Sequence, residues 1–499
     1  MLFNSWSFAV FLPIVFALYW LTPSKYRWIV LLISSYYFYM SWNPTYVVLI
    51  LFVTVVSYFA GIMVKQSDSV KKRKWIVAVA VVSSLAVLFV FKYYNFFMDS
   101  FVALMRAVGL NFHMGTLRVL LPVGISFYTF QTISYVVDVY RGKVDPERNF
   151  FIYATFVAFF PQLVAGPIER ASNLMPQIAA PHVFDYKQAS YGIKLMAWGF
   201  FKKIVVADTL AGYVDQVYAN PFVSSGFTLI LATFFFAIQV YGDFSGYSDI
   251  AVGCGKLFGI NLTENFHAPY FATSIKDYWV RWHISLSNWF KEYVYIPLGG
   301  NRCGKFRHRL NLFITFLASG LWHGADWNYV IFGAVHGIMQ IFGDMFRQGR
   351  KKRRERRIAQ GKPVPPLPVK KDYPHDLRSW LSVLGTFITL MLVFIIFRSQ
   401  NMLHAFLIYI SLFRGISSPL SYIVTGVHGC GLSLDACFSI LMMVVTVFVF
   451  DYFNMRGDVI KKISSLKPIW RWTIYVAFMI FMLYLLPVTA GNEFIYFQF

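Results

Sequence analysis

Long apolar runs alternate with short basic segments along this chain, and the middle of the chain interrupts the alternation. A helix that crosses a bilayer needs about 20 apolar residues. The hydropathy pattern predicts eight such helices, near residues 5–22, 28–43, 46–64, 75–95, 226–241, 379–397, 438–452 and 470–487. Between about 118 and 208, and again from 266 to 346, the apolar runs are shorter and are broken by Pro and Gly, which predicts shallow, tilted or re-entrant helices. Irregular backbone is tolerated at membrane depth only where protein or a water-filled cavity surrounds it, so a functional site is expected in this interrupted middle.

The composition agrees with an all-α polytopic membrane protein. Of the 499 residues, 58% are hydrophobic and only 14% are charged, whereas about 25% are charged in a typical soluble domain. A membrane bundle is one unit however many helices it has, so a single domain is expected over residues 1–499.

The net charge of +22 bears on orientation in the membrane rather than on nucleic-acid binding, because the cations cluster between apolar runs. The basic segments 65–74, 347–378 and 461–471 are predicted to be cytoplasmic, and 401–432 to be outside. Counting helices then places both termini on the outer side of the membrane. Residues 347–378 are expected to form a basic, Pro-containing loop that is disordered and sets the topology; a regulatory or anionic-lipid site is the alternative.

The stretch LWHGADWNYVIFGAVHG (321–337) carries two histidines inside apolar sequence. Ionisable residues within a membrane mark functional sites by default, although such a histidine can also simply bond a backbone carbonyl. Gly320 and Gly324 flank His323 and would let a backbone or a substrate approach closely. Trp322 and Trp327 are expected to wall the imidazole and keep it dry and neutral, as a general base requires.

His336 follows thirteen residues later, which on a continuous helix is a rotation of about 220° and a rise of about 20 Å. The two histidines are therefore not expected to chelate a metal. The chain has no HxxxH or HExxH pair, no GxSxG motif and no Walker loop. It therefore lacks the motifs of a zinc hydrolase, of a GxSxG-type serine hydrolase and of a Walker-type ATPase.

The stretch NFHAPYFATSIKDYWVRWHISLSNWFKEYVYIPLGGNR (265–302) is rich in Trp, Tyr, Lys and Arg, as membrane interfaces are. A helix around 276–292 would place Trp282 and Trp289 on one face, with His283 and Ser287 on a neighbouring face. The simpler interpretation is an amphipathic helix along the cytoplasmic surface. The alternative is that His283 lines a tunnel leading from that surface.

Two short segments with polar residues, each within apolar sequence, contain the remaining candidate site residues. PQLVAGPIER (161–170) contains Glu169 and Arg170, and QVYGDFSGYSDIAVG (239–253) contains Asp243 and Asp249 among glycines. These residues either line a pocket for a polar acceptor or form paired charges that hold broken helices together. The second, structural interpretation is favoured.

Four motifs, FFPQLVAGPIER, QVYGDFSGYSDIAVG, DYWVRWHISLSNWFKEYVYIPLGGNR and GLWHGADWNYVIFGAVHG, resemble the membrane-bound O-acyltransferase (MBOAT) family. The resemblance is to its alginate O-acetyltransferase-like bacterial polysaccharide branch. It runs from about residue 1 to the terminal NEFIYFQF, with the motifs in the family order.

The resemblance implies a ring of transmembrane and re-entrant helices around a thin central region. It places the family's essential histidine at His323 and its second signature position at His283. Trp322 and Asn288 are further candidates for the lining of the site. The cations Arg281, Arg302 and Lys305 are expected to face the cytoplasm and to bind the phosphates of the donor, since charge-assisted contacts to phosphate favour Arg and Lys.

The function implied is an O-acetyltransferase with no permanently bound cofactor, which takes the acetyl group of cytoplasmic acetyl-CoA as donor substrate. The group would be passed to an extracytoplasmic polysaccharide, such as an alginate-like exopolysaccharide or peptidoglycan, directly or through a separate SGNH-type acetyltransferase partner. The alternatives are D-alanyl transfer to teichoic acid, a transporter of glycan or lipid, which broken helices and buried acids would suit, and a structural scaffold.

Overall fold

The computed structural model describes residues 1–112, 115–117, 119–364, 371–486 and Phe494. Over these residues the secondary structure is helical, with no strand. The prediction of an all-α fold is therefore confirmed.

Eleven of the described helices precede the long helix at the centre of the chain. In chain order they are Trp6–Leu21 (α1), Arg27–Met40 (α2), Val47–Gln66 (α3), Val70–Leu88 (α4), Tyr94–Ala107 (α5), Ile125–Tyr140 (α6), Phe150–Ala158 (α7), Phe160–Leu163 (α8), Ala171–Ala179 (α9), Tyr186–Phe200 (α10) and Asp208–Ala219 (α11).

The second group begins with the central helix. Its members are Gly226–Leu257 (α12), Ile275–Arg281 (α13), Ile284–Phe290 (α14), Lys305–His323 (α15), Trp327–Ala359 (α16), Leu377–Arg398 (α17), Met402–Ser411 (α18), Pro419–Gly429 (α19), Leu434–Asn454 (α20), Val459–Ser464 (α21) and Pro468–Leu485 (α22).

Seven helical segments among the described residues are long and apolar enough to cross a membrane. They are Pro44–Gln66, Val70–Ala107, Gly226–Leu257, Trp327–Ala359, Leu377–Arg398, Leu434–Asn454 and Pro468–Leu485. Six of them coincide with predicted spans. The seventh, α16, lies where only short, interrupted segments were expected, so that expectation is wrong for this helix.

The first two predicted spans are helical but short. α1 has 16 residues and α2 has 14, which correspond to about 24 Å and 21 Å at the α-helical rise. Both are shorter than the hydrocarbon core of about 30 Å. Their crossing of the membrane, like the re-entrant segments and the ring arrangement, stays a prediction.

The glycine-rich motif QVYGDFSGYSDIAVG does not break the central helix, because α12 runs without interruption to Leu257. Its glycines serve packing against α10. A Cβ at Gly246 would lie 2.7 Å from the carbonyl oxygen of Gly199, and a Cβ at Gly253 would lie 2.5 Å from that of Gly192. The expectation of broken helices at this motif is wrong, because these glycines allow close backbone contact rather than a turn.

The basic segment 347–378 is also more regular than expected. α16 continues through its first thirteen residues to Ala359, since Arg, Lys, Glu and Gln are good helix formers and the first proline of the segment is Pro363. The expected loop is therefore confined to the residues after Ala359. Most of the Pro-rich stretch PVPPLP, from residue 365 onward, lies outside the described residues, as does NEFIYFQF apart from Phe494.

The chain folds into two compact units that alternate along the sequence. Unit 1 comprises residues 1–204, 243–264 and 493–499, and unit 2 comprises 205–242 and 265–492. The expectation of one domain over residues 1–499 stays a prediction.

The topology can be tested by cysteine labelling in a variant that lacks the four native cysteines. Gln360→Cys and Ser417→Cys place thiols at exposed positions in the predicted cytoplasmic and outer segments. We expect a membrane-impermeant maleimide added to intact cells to label only the cysteine at 417. Labelling of the cysteine at 360 instead would overturn the orientation inferred from the Lys and Arg distribution.

Candidate active site

The two candidate histidines lie in unit 2, His323 at the end of one helix and His283 between two others. α15 ends at His323, Gly324 follows in an extended conformation, and Asp326 begins α16 by accepting a hydrogen bond from the backbone N–H of Asn328 at 2.9 Å. The stretch 321–337 is therefore the turn of a helical hairpin, and His323 and His336 belong to different helices.

Small residues bring the two helices of the hairpin together. A Cβ at Gly320 would collide with the carbonyl oxygen of Tyr329 and with the backbone of Gly333, and a Cβ at Gly324 would overlap the Tyr329 ring. The close approach predicted for the glycines around His323 therefore occurs with the protein itself. It fixes the position of the histidine at the end of α15.

The imidazole of His323 is only 4% exposed and is surrounded by aromatic rings. The ring centroids of Trp322, Phe397 and Phe332 lie 5.2, 5.6 and 6.1 Å from it. The dry environment predicted for His323 is present. The side chain of Trp327, in the first turn of α16, is 55% exposed, so its part in the wall around His323 stays a prediction.

His283 breaks the helix that was predicted over 276–292. α13 ends at Arg281 and α14 begins at Ile284, and His283 has φ 43° and ψ 56°, the left-handed conformation. A non-glycine residue held there costs about 1–3 kcal/mol, so the surrounding contacts must impose the conformation. Because His283 is fully buried, the interpretation as a regular helix along the membrane surface does not hold at this residue.

His283 and His323 share an aromatic neighbour. The indole of Trp322 lies 5.8 Å from the His283 ring, nearly edge-on, and is also the nearest of the rings around His323. Burial, and secondly the proximity of His323, lower the pKa of His283 well below its ordinary value. The imidazole is consequently neutral at physiological pH and has a lone pair on one nitrogen.

Sequence reasoning missed Asn265, which is 2% exposed and bonded to this site. Its Oδ1 atom lies 3.4 Å from His283 Nδ1 and 2.6 Å from Ser285 Oγ. Asn265 stands eighteen positions before the histidine in an irregular segment, where no periodicity in the sequence could connect the two.

His336 has a separate partner. The indole N–H of Trp279 donates a hydrogen bond to His336 Nδ1 at 3.2 Å, and the Phe332 ring lies 4.6 Å away. One nitrogen of His336 is thus bonded within the aromatic packing between α13 and α16, whereas its buried Nε2 atom has no hydrogen-bond partner among the described residues.

The predicted donor-binding cations differ in their surroundings. Arg281 is 6% exposed, pairs with Asp277 at 3.2 Å and donates to the carbonyl oxygen of Asp372 at 2.8 Å. Its guanidinium is held by the protein, so the expectation that it contacts the donor is not supported. Arg302 and Lys305 are exposed, and so is Asn288, which therefore does not line the buried histidine site.

The two acids of α12, of which Asp243 is buried and Asp249 is partly exposed, are paired with lysines of the π-helical turn Phe201–Ala207. Lys203 Nζ lies 2.5 Å from Asp243, and Lys202 Nζ lies 2.7 Å from Asp249. Both lysines are 3% exposed. These contacts within unit 1 support the structural interpretation of the two acids.

Glu169 also has structural partners in unit 1. Its carboxylate accepts the backbone N–H of Thr263 at 2.5 Å and the side-chain amide of Asn173 at 2.7 Å. Burial raises the pKa of Glu169. Arg170, which is half-buried, directly precedes α9. Glu169 therefore ties the segment before α9 to the segment after α12.

The fold and the site together define an all-helical membrane protein in which two buried histidines lie next to one indole ring, that of Trp322. The sequence profile of the MBOAT, membrane-bound O-acyltransferase family, matches residues 34–360. The chain belongs to this family.

The chain is similar to several named relatives. It is 44% identical over 334 residues to the probable alginate O-acetylase AlgI of Pseudomonas putida, covering 66% of this chain and 67% of the relative. The protein of the same name from Pseudomonas aeruginosa is 43% identical over 335 residues, which is 66% of this chain and 63% of the relative. The peptidoglycan O-acetyltransferase of Helicobacter pylori is 36% identical over 373 residues, covering 68% and 69%.

A Gly320→Ala substitution tests the close packing of the hairpin. The added methyl group would collide with the backbone of α16, so we expect a loss of about 1–3 kcal/mol in stability and a lower melting temperature of the detergent-solubilised protein. Gly385→Ala is the control, because this helical glycine has nothing within 4 Å of the added Cβ. If both variants melt like the wild type, the α15–α16 contact does not determine the stability of the site.

Proposed function

We propose that this protein is a membrane O-acetyltransferase. It takes an acetyl group from a cytoplasmic thioester, acetyl-CoA, and passes it across the membrane to hydroxyl groups of an extracytoplasmic cell-surface polysaccharide. The proposal is supported by family membership and by the named activities of the relatives, alginate O-acetylase and peptidoglycan O-acetyltransferase. Membership in an acyltransferase family favours this function over a transporter or a scaffold.

The observation that carries the proposal is the pair of buried histidines, His283 and His323, whose rings both lie close to the indole of Trp322, at 5.8 and 5.2 Å between centroids. They come from elements 40 residues apart along the sequence, and each is at most 4% exposed. A buried ionisable pair of this kind in a membrane protein is costly unless it serves the chemistry of a site.

One positioned imidazole meets the chemical requirement of the reaction. A thiol has a pKa of about 8.5, so the thiolate of coenzyme A is a good leaving group and needs little help from an acid. The acceptor hydroxyl is a weak nucleophile, and its proton must be removed as its oxygen attacks the thioester carbonyl. His323 takes that proton, the carbon–sulfur bond breaks, and the thiolate recovers a proton as the imidazolium returns to its neutral form.

The proposed arrangement across the membrane places the donor on the cytoplasmic side and the acceptor outside. Both termini are extracytoplasmic in this arrangement. The acetyl group reaches the polysaccharide directly or through a separate SGNH-type transferase. Arg302 and Lys305 bind the phosphates of coenzyme A, since charge-assisted contacts to phosphate are made by Arg and Lys.

His323→Ala is expected to abolish acetyl transfer while leaving folded protein in the membrane. Loss of a positioned general base lowers rates by about 10²–10⁴-fold. The measurement is release of coenzyme A from acetyl-CoA by purified protein with an acceptor oligosaccharide, and O-acetyl content of the polysaccharide in cells. His375→Ala, at an exposed histidine, is the control and should match the wild type. Transfer by the His323 variant above about one-tenth of the wild-type rate would exclude an essential base.

Neutralising Arg302 and Lys305 together, as Arg302→Gln with Lys305→Gln, should mainly raise the KM for acetyl-CoA. These contacts persist from the bound substrate to the transition state, so their loss weakens binding without slowing the chemical step. The measurement is the rate of donor hydrolysis across acetyl-CoA concentrations.

The control removes the same charge elsewhere. Lys71→Gln with Lys72→Gln lies in the predicted cytoplasmic segment 65–74 of unit 1 and is also exposed. An equal rise of KM in both double variants would mean that overall charge, and not a donor contact at Arg302 and Lys305, attracts the anionic donor.

A further inference from the structure

Asn265 is bonded to His283 and has no role in the reaction described so far. We propose that Asn265 is a positioning residue, which holds His283 in the tautomer protonated on Nδ1 so that Nε2 is the atom that accepts a proton or hydrogen bond. This inference rests on the proposed function, because it assigns one nitrogen of a histidine to the transfer reaction.

The orientation of the Asn265 side chain follows from its neighbours. The backbone N–H of Ser285 points to Oδ1 at 3.3 Å, and a backbone N–H can only donate. The atom that faces it is therefore the amide oxygen and not the NH₂ group. The Ser285 hydroxyl donates to the same oxygen at 2.6 Å.

The identity of that oxygen decides the state of the histidine. An amide oxygen accepts hydrogen bonds and has no proton to give. His283 Nδ1, 3.4 Å from it, can form this contact only as an N–H donor. In a neutral imidazole the other nitrogen then has the lone pair, so Nε2 is the acceptor. Burial keeps His283 in its neutral form by lowering its pKa.

Asn265 also bonds the backbone next to His283. Its carbonyl oxygen accepts the N–H of Ile284 at 2.9 Å, directly after the left-handed residue. One asparagine thus binds the histidine ring through its side chain and the following residue through its backbone. The strained conformation of His283 and the tautomer of its ring are imposed by the same neighbour.

The assignment restricts what His283 can do. In this tautomer Nε2 cannot donate a hydrogen bond to the thioester carbonyl. It can accept one from a hydroxyl or amide N–H, or it can take a proton. His283 and His323 would then both offer basic nitrogens around Trp322, rather than one base and one donor to the carbonyl oxygen.

The kinetic test compares two substitutions at the same position. Asn265→Leu keeps a similar volume and removes the acceptor. We expect kcat/KM for acetyl transfer to fall at least about tenfold, since Nε2 of His283 cannot accept a proton or hydrogen bond in molecules that adopt the other tautomer. Asn265→Asp keeps acceptor oxygens and should recover a large part of the activity. Ser285→Ala removes one donor but leaves the contact to His283, so its loss should stay below about fivefold, the effect of one neutral hydrogen bond.

A spectroscopic measurement separates positioning from a merely structural role. In protein with ¹⁵N-labelled histidine, the resonances of His283 are assigned by their disappearance in His283→Gln. We expect the unprotonated, pyridine-type nitrogen to be Nε2 in the wild type and the Asn265→Asp variant, and the two tautomers to be mixed in folded Asn265→Leu. A pyridine-type Nδ1 in the wild type would overturn the inference.

The two proposals fail in different ways. If wild-type protein does not consume acetyl-CoA, the proposed function fails whatever the spectrum of His283. If the wild type is active and Asn265→Leu keeps more than half of its activity, or keeps the wild-type tautomer, the role of Asn265 is wrong and the transferase function stands.

Discussion

The structure depends on one constraint, which is that polar groups inside a membrane protein must be satisfied by the protein itself. Water is not available in the hydrocarbon core, and each unsatisfied group there costs several kcal/mol. The lysines at 202 and 203 are accordingly held by the carboxylates of α12. In unit 1, the hydroxyl of Tyr19 and the indole N–H of Trp20 donate to the carbonyl oxygens at the end of the same helix. Breaks in the helical pattern are tolerated because such contacts replace the missing hydrogen bonds.

The same constraint shapes the histidine site. Burial disfavours the charged form of the His283 imidazole and lowers its pKa, so this histidine is neutral and can accept a proton. His283 has a left-handed conformation, and the backbone of Asn265 accepts the N–H of the next residue, Ile284. His323 needs no strain, because the end of α15 already directs it into the aromatic cluster. The glycines beside it, 320 and 333, contribute by letting α15 and α16 come into backbone contact.

In unit 2, exposed cations lie at the surface and neutral histidines lie in the interior, and the proposed reaction requires both. Arg281 is committed to neighbouring carboxylate and carbonyl groups, whereas Arg302 and Lys305 after the turn at Gly299 and Gly300 are exposed. A charged donor such as coenzyme A can be bound only where cations remain hydrated and accessible. The proton transfer, by contrast, is favoured where water is excluded and the imidazole is dry.

Hydropathy and motifs are properties of neighbouring residues, so the sequence alone was enough to predict the helical fold, six of the seven helical segments long and apolar enough to cross a membrane, the burial of His323 and the family. It did not determine the break at His283, the continuity of α12 through its glycines, the exposure of Trp327 or the bond from Asn265. Each of these depends on residues far apart along the chain. A glycine looks the same in sequence whether it breaks a helix or admits another backbone, and a histidine looks the same whether its helix continues or ends. Only the tertiary structure supplies the neighbours that decide between these outcomes.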